Sequence, residues 1–336
     1  MRQIWLTAHG PPEVLAVREA PDPAAAAGEV RVRVRAAGVN FADLLARLGL
    51  YPDAPAPPCV PGFEVAGVVD QVGAGVAGFR EGDRVFATPR FGGYTDVLTV
   101  GAEYATRMPD AMGFEEAAAF PTVYLAAYHV MFALGATPAG STVLVHSAAG
   151  GVGLAAVQLA RGRGCRVLGT ASPSKHDFLR AQGCEHPLDY ADWPAAARRI
   201  VGDRGVDLAI DAIGGRSWKD SYDLLAPGGR LACLGASMNA KGPRRSLLQV
   251  GRFFAEMPRF TPLQLMNDNK QVGGFNLRRL FDRFEALRPE LAELVALYER
   301  GAIKPHVDRT FRFDEAAEAH RWLHDRKAKG KLVLVP

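Results

Sequence analysis

Cysteine is scarce: Cys59, Cys165, Cys184 and Cys233 stand apart, with no Cys-x-x-Cys pair and no Cys/His cluster at metal-ligand spacing. That excludes a disulfide framework and a thiolate-based structural metal site, and leaves reduced packing residues in a cytoplasmic protein. The chain also lacks any block of like charge. Lys+Arg 40 stand against Asp+Glu 36, a net +4 spread over 336 residues, so neither a nucleic-acid stripe nor a polybasic membrane patch is expected. Long apolar runs are missing too. Residues 117–160 contain no Asp, Glu, Lys or Arg, but Pro121, Pro138 and glycines 135, 140, 150, 151 and 153 cut the stretch into pieces too short to cross a bilayer. Met1-Arg-Gln-Ile-Trp-Leu6 reads directly as a strand, so no signal peptide is expected.

What is present is globular, with 48% hydrophobic and 23% charged residues and length for two domains. Residues 1 to about 120 read as short strands between Gly/Pro turns. Glu29-Val-Arg-Val-Arg-Val-Arg-Ala36 alternates at period two, and Gly67–Gly73 and Asp83–Ala87 are further strands of this mainly β region. Phe41–Leu48 is its clear helix, directly after Asn40.

Thr142 to Arg161 organises the rest. Val143-Leu-Val145 is a buried strand, Ala148, Gly150, Gly151 and Gly153 keep the following turn narrow, and Leu154, Val157 and Leu159 start a helix. The spacing Ala148-x-Gly150-x-x-Gly153 matches the dinucleotide-binding fingerprint, with Ala in the first glycine's place. Backbone N–H groups of the turn and the positive helix end would hold a pyrophosphate. Strands and helices then alternate: strand 166–170, helix 174–182, strand 186–190, helix 194–201, strand 206–211, helix 217–225 and strand 230–235. This rhythm predicts an α/β, doubly wound parallel sheet of Rossmann type. Residues 237–275 lose the rhythm, and Arg244, Arg245, Phe253, Phe254 and Phe260 read either as an irregular insert beside the site or as a surface helix. Helices 291–300 and 314–326 and a strand 331–335 close the chain. The cofactor domain is thus inserted in a host built from both ends, with 1–122 and 266–336 against 123–265 and the ligand cleft between them.

Which dinucleotide binds depends on the second strand's end. An NAD site carries Asp or Glu about 20 residues beyond the glycines. Thr170-Ala-Ser-Pro-Ser-Lys175 has no acid there, but hydroxyls and a cation. A ribose 2′-phosphate fits such a set, so NADPH is expected, with Ser172 and Lys175 as phosphate ligands. Against that, Ser172 could simply cap the next helix and Lys175 could be solvated.

The chain resembles the zinc-independent quinone oxidoreductases of the medium-chain dehydrogenase/reductase superfamily, nearest the branch containing the synaptic vesicle amine transport protein. The resemblance runs through Ala37-Gly-Val-Asn-Phe-Ala-Asp43, Gly49-Leu-Tyr-Pro52, Pro61-Gly-Phe-Glu-Val-Ala-Gly67, Gly82-Asp-Arg-Val85, 143–161, Ala171-Ser-Pro-Ser-Lys-His176, Val272-Gly-Gly-Phe-Asn-Leu277 and Gly330-Lys-Leu-Val-Leu334. It implies a GroES-like, mainly β substrate domain around the Rossmann domain. Zinc members of the superfamily place Cys where Asn40 stands and His where Phe63 stands, and neither residue here can replace such a ligand. No cysteine lies between Gly82 and Thr106, so the structural zinc lobe is missing as well. No metal is expected, which disfavours alcohol oxidation and leaves reduction of a quinone or an activated C=C.

By similarity, Asn40, Tyr51 and Thr122 line the nicotinamide and acceptor pocket. Ala148, Gly150, Gly151, Val152, Gly153, Ser172, Lys175, Tyr190 and Phe275 bind the cofactor. Plainer roles stand beside these: Asn40 as a helix cap, Tyr51 packing before Pro52, Phe275 in the core. His129 reads as a core histidine and Glu64 as a structural ion partner. The expected function is a cytoplasmic NADPH-dependent reductase of a small-molecule quinone or enone, with a biosynthetic enoyl reductase or an NADPH-binding interaction protein as alternatives. Strand 230–235 is expected to be the sheet edge through which a homodimer forms.

Overall fold

The computed structural model describes residues 1–237 and 246–336; Arg244 and Arg245 lie outside them. The chain begins with an antiparallel pair, β1 (Arg2–Leu6) and β2 (Leu15–Glu19). Five strands follow: β3 (Glu29–Val39), β4 (Val65–Val72), β5 (Arg84–Ala87), β6 (Val97–Gly101) and β7 (Ala105–Arg107). In β3 the period-two pattern buries Val30, Val32 and Val34, while Arg31 and Arg33 on the wet face share Asp70 of β4 at 2.8 and 2.5 Å.

The second sheet is built from β8 (Thr142–Val145), β9 (Arg166–Thr170), β10 (His186–Leu188), β11 (Val206–Asp211), β12 (Leu225–Cys233) and β13 (Gln271–Gly274). Every pairing is parallel, in the order β10-β9-β8-β11-β12-β13. This is the doubly wound arrangement in which the strand order reverses beside the first strand, opening a crevice at the strands' carboxyl ends. All four residues of β8 are buried, as a central strand covered on both faces requires. The chain then returns to the first sheet with β14 (Val307–Arg312) and β15 (Lys331–Val335), giving the order β14-β15-β3-β4-β5-β7 with β6 also paired to β3. The α/β class and the insertion of a Rossmann sheet into a mainly β host are thus as expected.

Two expectations shift. Strand β13 belongs to the parallel sheet although it lies beyond residue 265, where the sequence reading closes that domain. Helix Arg288–Glu299 also packs on helix Pro121–Tyr128 against it. The seam therefore falls later in the chain. The strand expected at 230–235 spans Leu225–Cys233 and is not the edge: β13 pairs along its outer side, so the free edge is that of β13. A four-residue strand with two glycines is too weak a pattern to be seen without its neighbour. Between β12 and β13, helices Leu247–Glu256 and Pro262–Asp268 fill part of the region that loses its rhythm. Phe253 is buried against Trp218 at 5.7 Å, Phe260 packs on Tyr222 at 4.8 Å, and Phe254 is 62% exposed. No helix of the described residues is long and apolar enough to cross a membrane.

Candidate active site

The crevice at the carboxyl ends of β8 and β11 is a cavity of ≈ 810 Å³ that reaches from the Rossmann sheet to helix Phe41–Arg47 of the β host. At its floor, the chain leaves β8 through Ser147, held at φ 52°, and Gly150 N donates to Ser147 O at 2.8 Å to close the turn. Helix Gly151–Gly162 begins there, so its free N–H groups and positive end face the cavity. A Cβ on Gly153 would stand 2.3 Å from Ser147 O and 2.7 Å from Ala148 Cα, both backbone atoms, so only glycine lets the helix approach the turn this closely. Gly150, Gly151, Val152 and Gly153 line the cavity. Ala148 does not: it is fully buried, its N–H donates to Thr170 O at 3.0 Å, and it packs beneath the turn near Gly169. It lies outside the cavity lining with its N–H already spent, so its place here is to shape the loop that carries the binding glycines.

His146, which the sequence reading passes over, ties three strand ends together. Its Nδ1 lies 3.1 Å from Thr170 Oγ1 and its Nε2 2.9 Å from Ser221 Oγ, and Ser221 donates to Asp211 at 3.0 Å. Burial lowers its pKa, so the ring stays neutral within this network.

One end of the cavity is basic. Ser172, Lys175 and Tyr190 line it, and Tyr190 OH reaches Ser147 Oγ at 3.4 Å. Ser172 stands at the start of a short helical turn, yet its side chain makes no capping bond. Lys175 Nζ donates to Arg326 O and Ala328 O at 2.6 Å each, which leaves its third hydrogen for a ligand. Burial pulls its pKa down. Arg326, at φ 58°, joins the same wall from the far end of the sequence. Its neighbour Gly330 forms a parallel bridge with Gly150, and Gly330 N donates to Ala149 O at 2.7 Å.

The opposite end is built on a buried ion pair. Lys331 Nζ donates to Glu64 Oε1 at 2.6 Å, Asn40 Oδ1 at 2.7 Å and Val39 O at 2.8 Å, which uses all three hydrogens. Asn40 Nδ2 returns a bond to Glu64 Oε1 at 2.8 Å, and Glu64 Oε2 accepts from Thr122 N at 2.9 Å. Asn40 does precede helix Phe41–Arg47, but its side chain is committed to Lys331 and Glu64. One Nδ2 hydrogen remains on the cavity wall. Thr122 lines the cavity, and its buried Oγ1 has no hydrogen-bond partner among the described residues. Tyr51 lines the same end, edge-on to Phe63 at 5.9 Å, and its OH reaches Asn276 Oδ1 at 3.5 Å. Burial, then the nearby Asp53, push its pKa up to about 12, so it is a donor at any physiological pH. Phe275 lines the wall and lies against His129 at 5.2 Å. His129 is half-buried and bonded to Glu290 at 2.8 Å, consistent with a satisfied histidine.

Beneath Asn40, Asp43 is fully buried and accepts from Asn40 N at 2.8 Å, Gly62 N at 3.0 Å and Tyr94 OH at 3.1 Å. Tyr94 OH lies 3.2 Å from His320 Nε2. Burial pushes Asp43 up to about 7 and His320 down to about 3.

Two family models match: "Alcohol dehydrogenase GroES-like domain" over residues 26–135 and "Zinc-binding dehydrogenase" over 182–334. The human synaptic vesicle membrane protein VAT-1 homolog is 42% identical over 322 residues, 95% of this chain and 82% of its own. A quinone oxidoreductase of Pseudomonas aeruginosa is 35% identical over 100% of this chain and 99% of its own. The crystal structure of Escherichia coli quinone oxidoreductase complexed with NADPH superposes with a TM-score of 0.88 at 30% identity, covering 100% of both chains.

The description of the second model speaks of zinc, and the donors here do not fit that ion. A carboxamide, a phenyl ring and a carboxylate already neutralised by an ammonium offer neither thiolate nor imidazole. Among the described residues no group of three or more His, Cys, Asp or Glu could hold a metal.

Proposed function

The chain belongs to the medium-chain dehydrogenase/reductase superfamily, and on that premise we propose that it is an NADPH-dependent reductase of quinones or α,β-unsaturated carbonyls that works without zinc. The observation that carries this reading is the hydride end of the cavity. There Lys331, Glu64 and Asn40 form a closed, charge-balanced cluster, with an amide hydrogen and the orphan Thr122 hydroxyl left on the wall. The residues fit the cofactor: glycines at a helix N-terminus for the pyrophosphate, and Ser172, Lys175 and Arg326 for a 2′-phosphate, with no carboxylate among the described residues that line the cavity.

NADPH when bound supplies a hydride, and the acceptor takes it together with one proton. Lys331 and Glu64 fix which way the Asn40 amide points, so that its free hydrogen meets the acceptor oxygen as charge develops there. Tyr51 can donate to the same oxygen, and Phe63, Phe41 and Leu45 exclude water from the apolar wall. The same reading makes the protein a cytoplasmic homodimer, joined along the outer edge of β13 and taking neither nucleic acid nor membrane as a partner. Sedimentation at micromolar concentration should find twice the 36.1 kDa chain mass.

The test is fluorescence titration with NADPH followed by its oxidation against a panel of quinones and enones. Broad turnover that survives chelators is the expected result. Binding without oxidation across the panel would make the chain a nucleotide-sensing protein, and turnover of a single enone would make it a dedicated enoyl reductase.

A further inference from the structure

The cavity wall carries four cations, Lys175, Arg278, Arg326 and Lys331, and no carboxylate among the described residues. Three of them are accounted for. Lys175 and Arg326 stand with Ser172 at the phosphate end, and Lys331 is cancelled by Glu64 at 2.6 Å. Arg278 is different. It follows Phe275, Asn276 and Leu277 on the wall, and its charge acts on Tyr51, which sets it at the Tyr51 end of the cavity. It forms no ion pair among the described residues. Asp53, which like Arg278 acts on Tyr51, is taken by the adjacent Arg279 at 2.5 Å and by Asn276 Nδ2 at 3.1 Å. The half-buried guanidinium also keeps its Nε out of water with no acceptor among the described residues, so its charge is not balanced from within the fold. Leaving it without a counter-charge is unfavourable, and an anion bound on its cavity side would relieve that.

We propose that the physiological acceptor carries an anionic oxygen group, a carboxylate or phosphate, and that Arg278 binds it beside Tyr51. This rests on the reductase reading above and narrows its substrate class. An acceptor so built places its carbonyl at Asn40 and Tyr51 and its apolar body along Phe63, Leu50 and Phe275, and its charge meets the fork of Arg278. The planar guanidinium matches two oxygens at once, so a lysine at this position would be a weaker substitute.

The experiment uses matched pairs: acetylacrylate with its methyl ester, and naphthoquinone sulfonate with the parent naphthoquinone. The wild-type protein should favour the anionic member of at least the enone pair in kcat/KM. R278Q should raise KM for the anionic member about ten-fold relative to the neutral one, with R278K restoring part of the difference. Added salt should weaken the anionic member alone. Equal preference for both members in the wild-type protein, or equal loss on both in R278Q, overturns the proposal. Calorimetric binding of acetylacrylate to the NADP⁺-loaded protein separates it from the reductase reading. Arg278-dependent binding without turnover of any acceptor would sink the reductase reading and leave Arg278 as an anion site for a bound ligand; turnover without Arg278-dependent binding would sink the anion site and leave the reductase. Should R278Q fail to fold by thermal melting, R278K alone decides the question, because no loss of anion preference in it and no salt dependence would refute the role.

Discussion

The two ends of the cavity are each held by a lysine, and the lysines behave in opposite ways. Lys175 leans on two backbone carbonyls and keeps its net charge, whereas Lys331 is cancelled by a buried carboxylate. The first arrangement leaves positive charge unbalanced, which on the proposed reading serves an anion that arrives from solution. The second has none to spare, and uses ionic bonds to hold a neutral amide in one orientation. The same residue type thus recruits a ligand at one end and builds a scaffold at the other, and the difference is whether an acid is packed against it.

The contrast breaks most violently at Lys331, whose side chain is 4% exposed beside a fully buried Glu64. Lys331→Met should cost about 3–5 kcal/mol in urea unfolding, because it strands a buried carboxylate. Adding Glu64→Gln should recover much of that loss while activity stays low. If the single variant melts like the parent, the pair is not the scaffold described. Next in size, Gly153→Ala forces a methyl group against two backbone atoms and should cost about 1–3 kcal/mol, with weakened NADPH fluorescence titration. At Lys175 the effect should fall on binding alone. Lys175→Glu is expected to raise KM for NADPH about ten-fold more than for NADH with the melting temperature little changed. An equal rise for both nucleotides would remove the 2′-phosphate from that end.

In the parent protein the smallest net effect lies in pH, because two buried groups there work against each other. Asp43, pushed up to about 7, contributes stability that is full below the usual carboxylate range and is lost as pH rises through 7. His320, pulled down to about 3, contributes stability present above the ordinary imidazole value and lost as pH falls. Between about pH 4 and 6.5 the two slopes oppose each other, each at most about 1.4 kcal/mol per pH unit. Asp43→Asn should therefore uncover a stability that rises with pH across that window; a flat profile would show that the two groups are not poised as their burial implies.

The phosphate end was largely legible in the sequence because its parts are local: the glycine turn, Ser172, Lys175 and Tyr190 all lie within two crossovers of β8. Arg326 was not, since it arrives from a loop some 150 residues later and carries no motif of its own. The hydride end was half legible. Asn40, Tyr51 and Thr122 were reached through resemblance, and Glu64 was placed as an ion partner, but its partner Lys331 read only as the start of a strand. Alternation marks which face of a strand is buried, yet it cannot tell which distant acid meets a lysine on that face. Arg278 is silent for a related reason: an arginine announces itself in sequence by type, whereas the role proposed for it comes from the lack of an ion pair among the described residues.

Residues 326 to 331 meet three parts of the cavity in succession. The carbonyls of Arg326 and Ala328 grip Lys175, Gly330 grips the glycine turn, and Lys331 grips Asn40 and Glu64. Six consecutive residues thus act as a ruler between the Ser172 end, the glycine turn and the Asn40 end, holding three separate elements at fixed spacing along one edge. On the proposed reading, a lesion along that edge would shift the cofactor's binding points together, so damage at residues 326–331 would surface as a fault in the chemistry of the cavity.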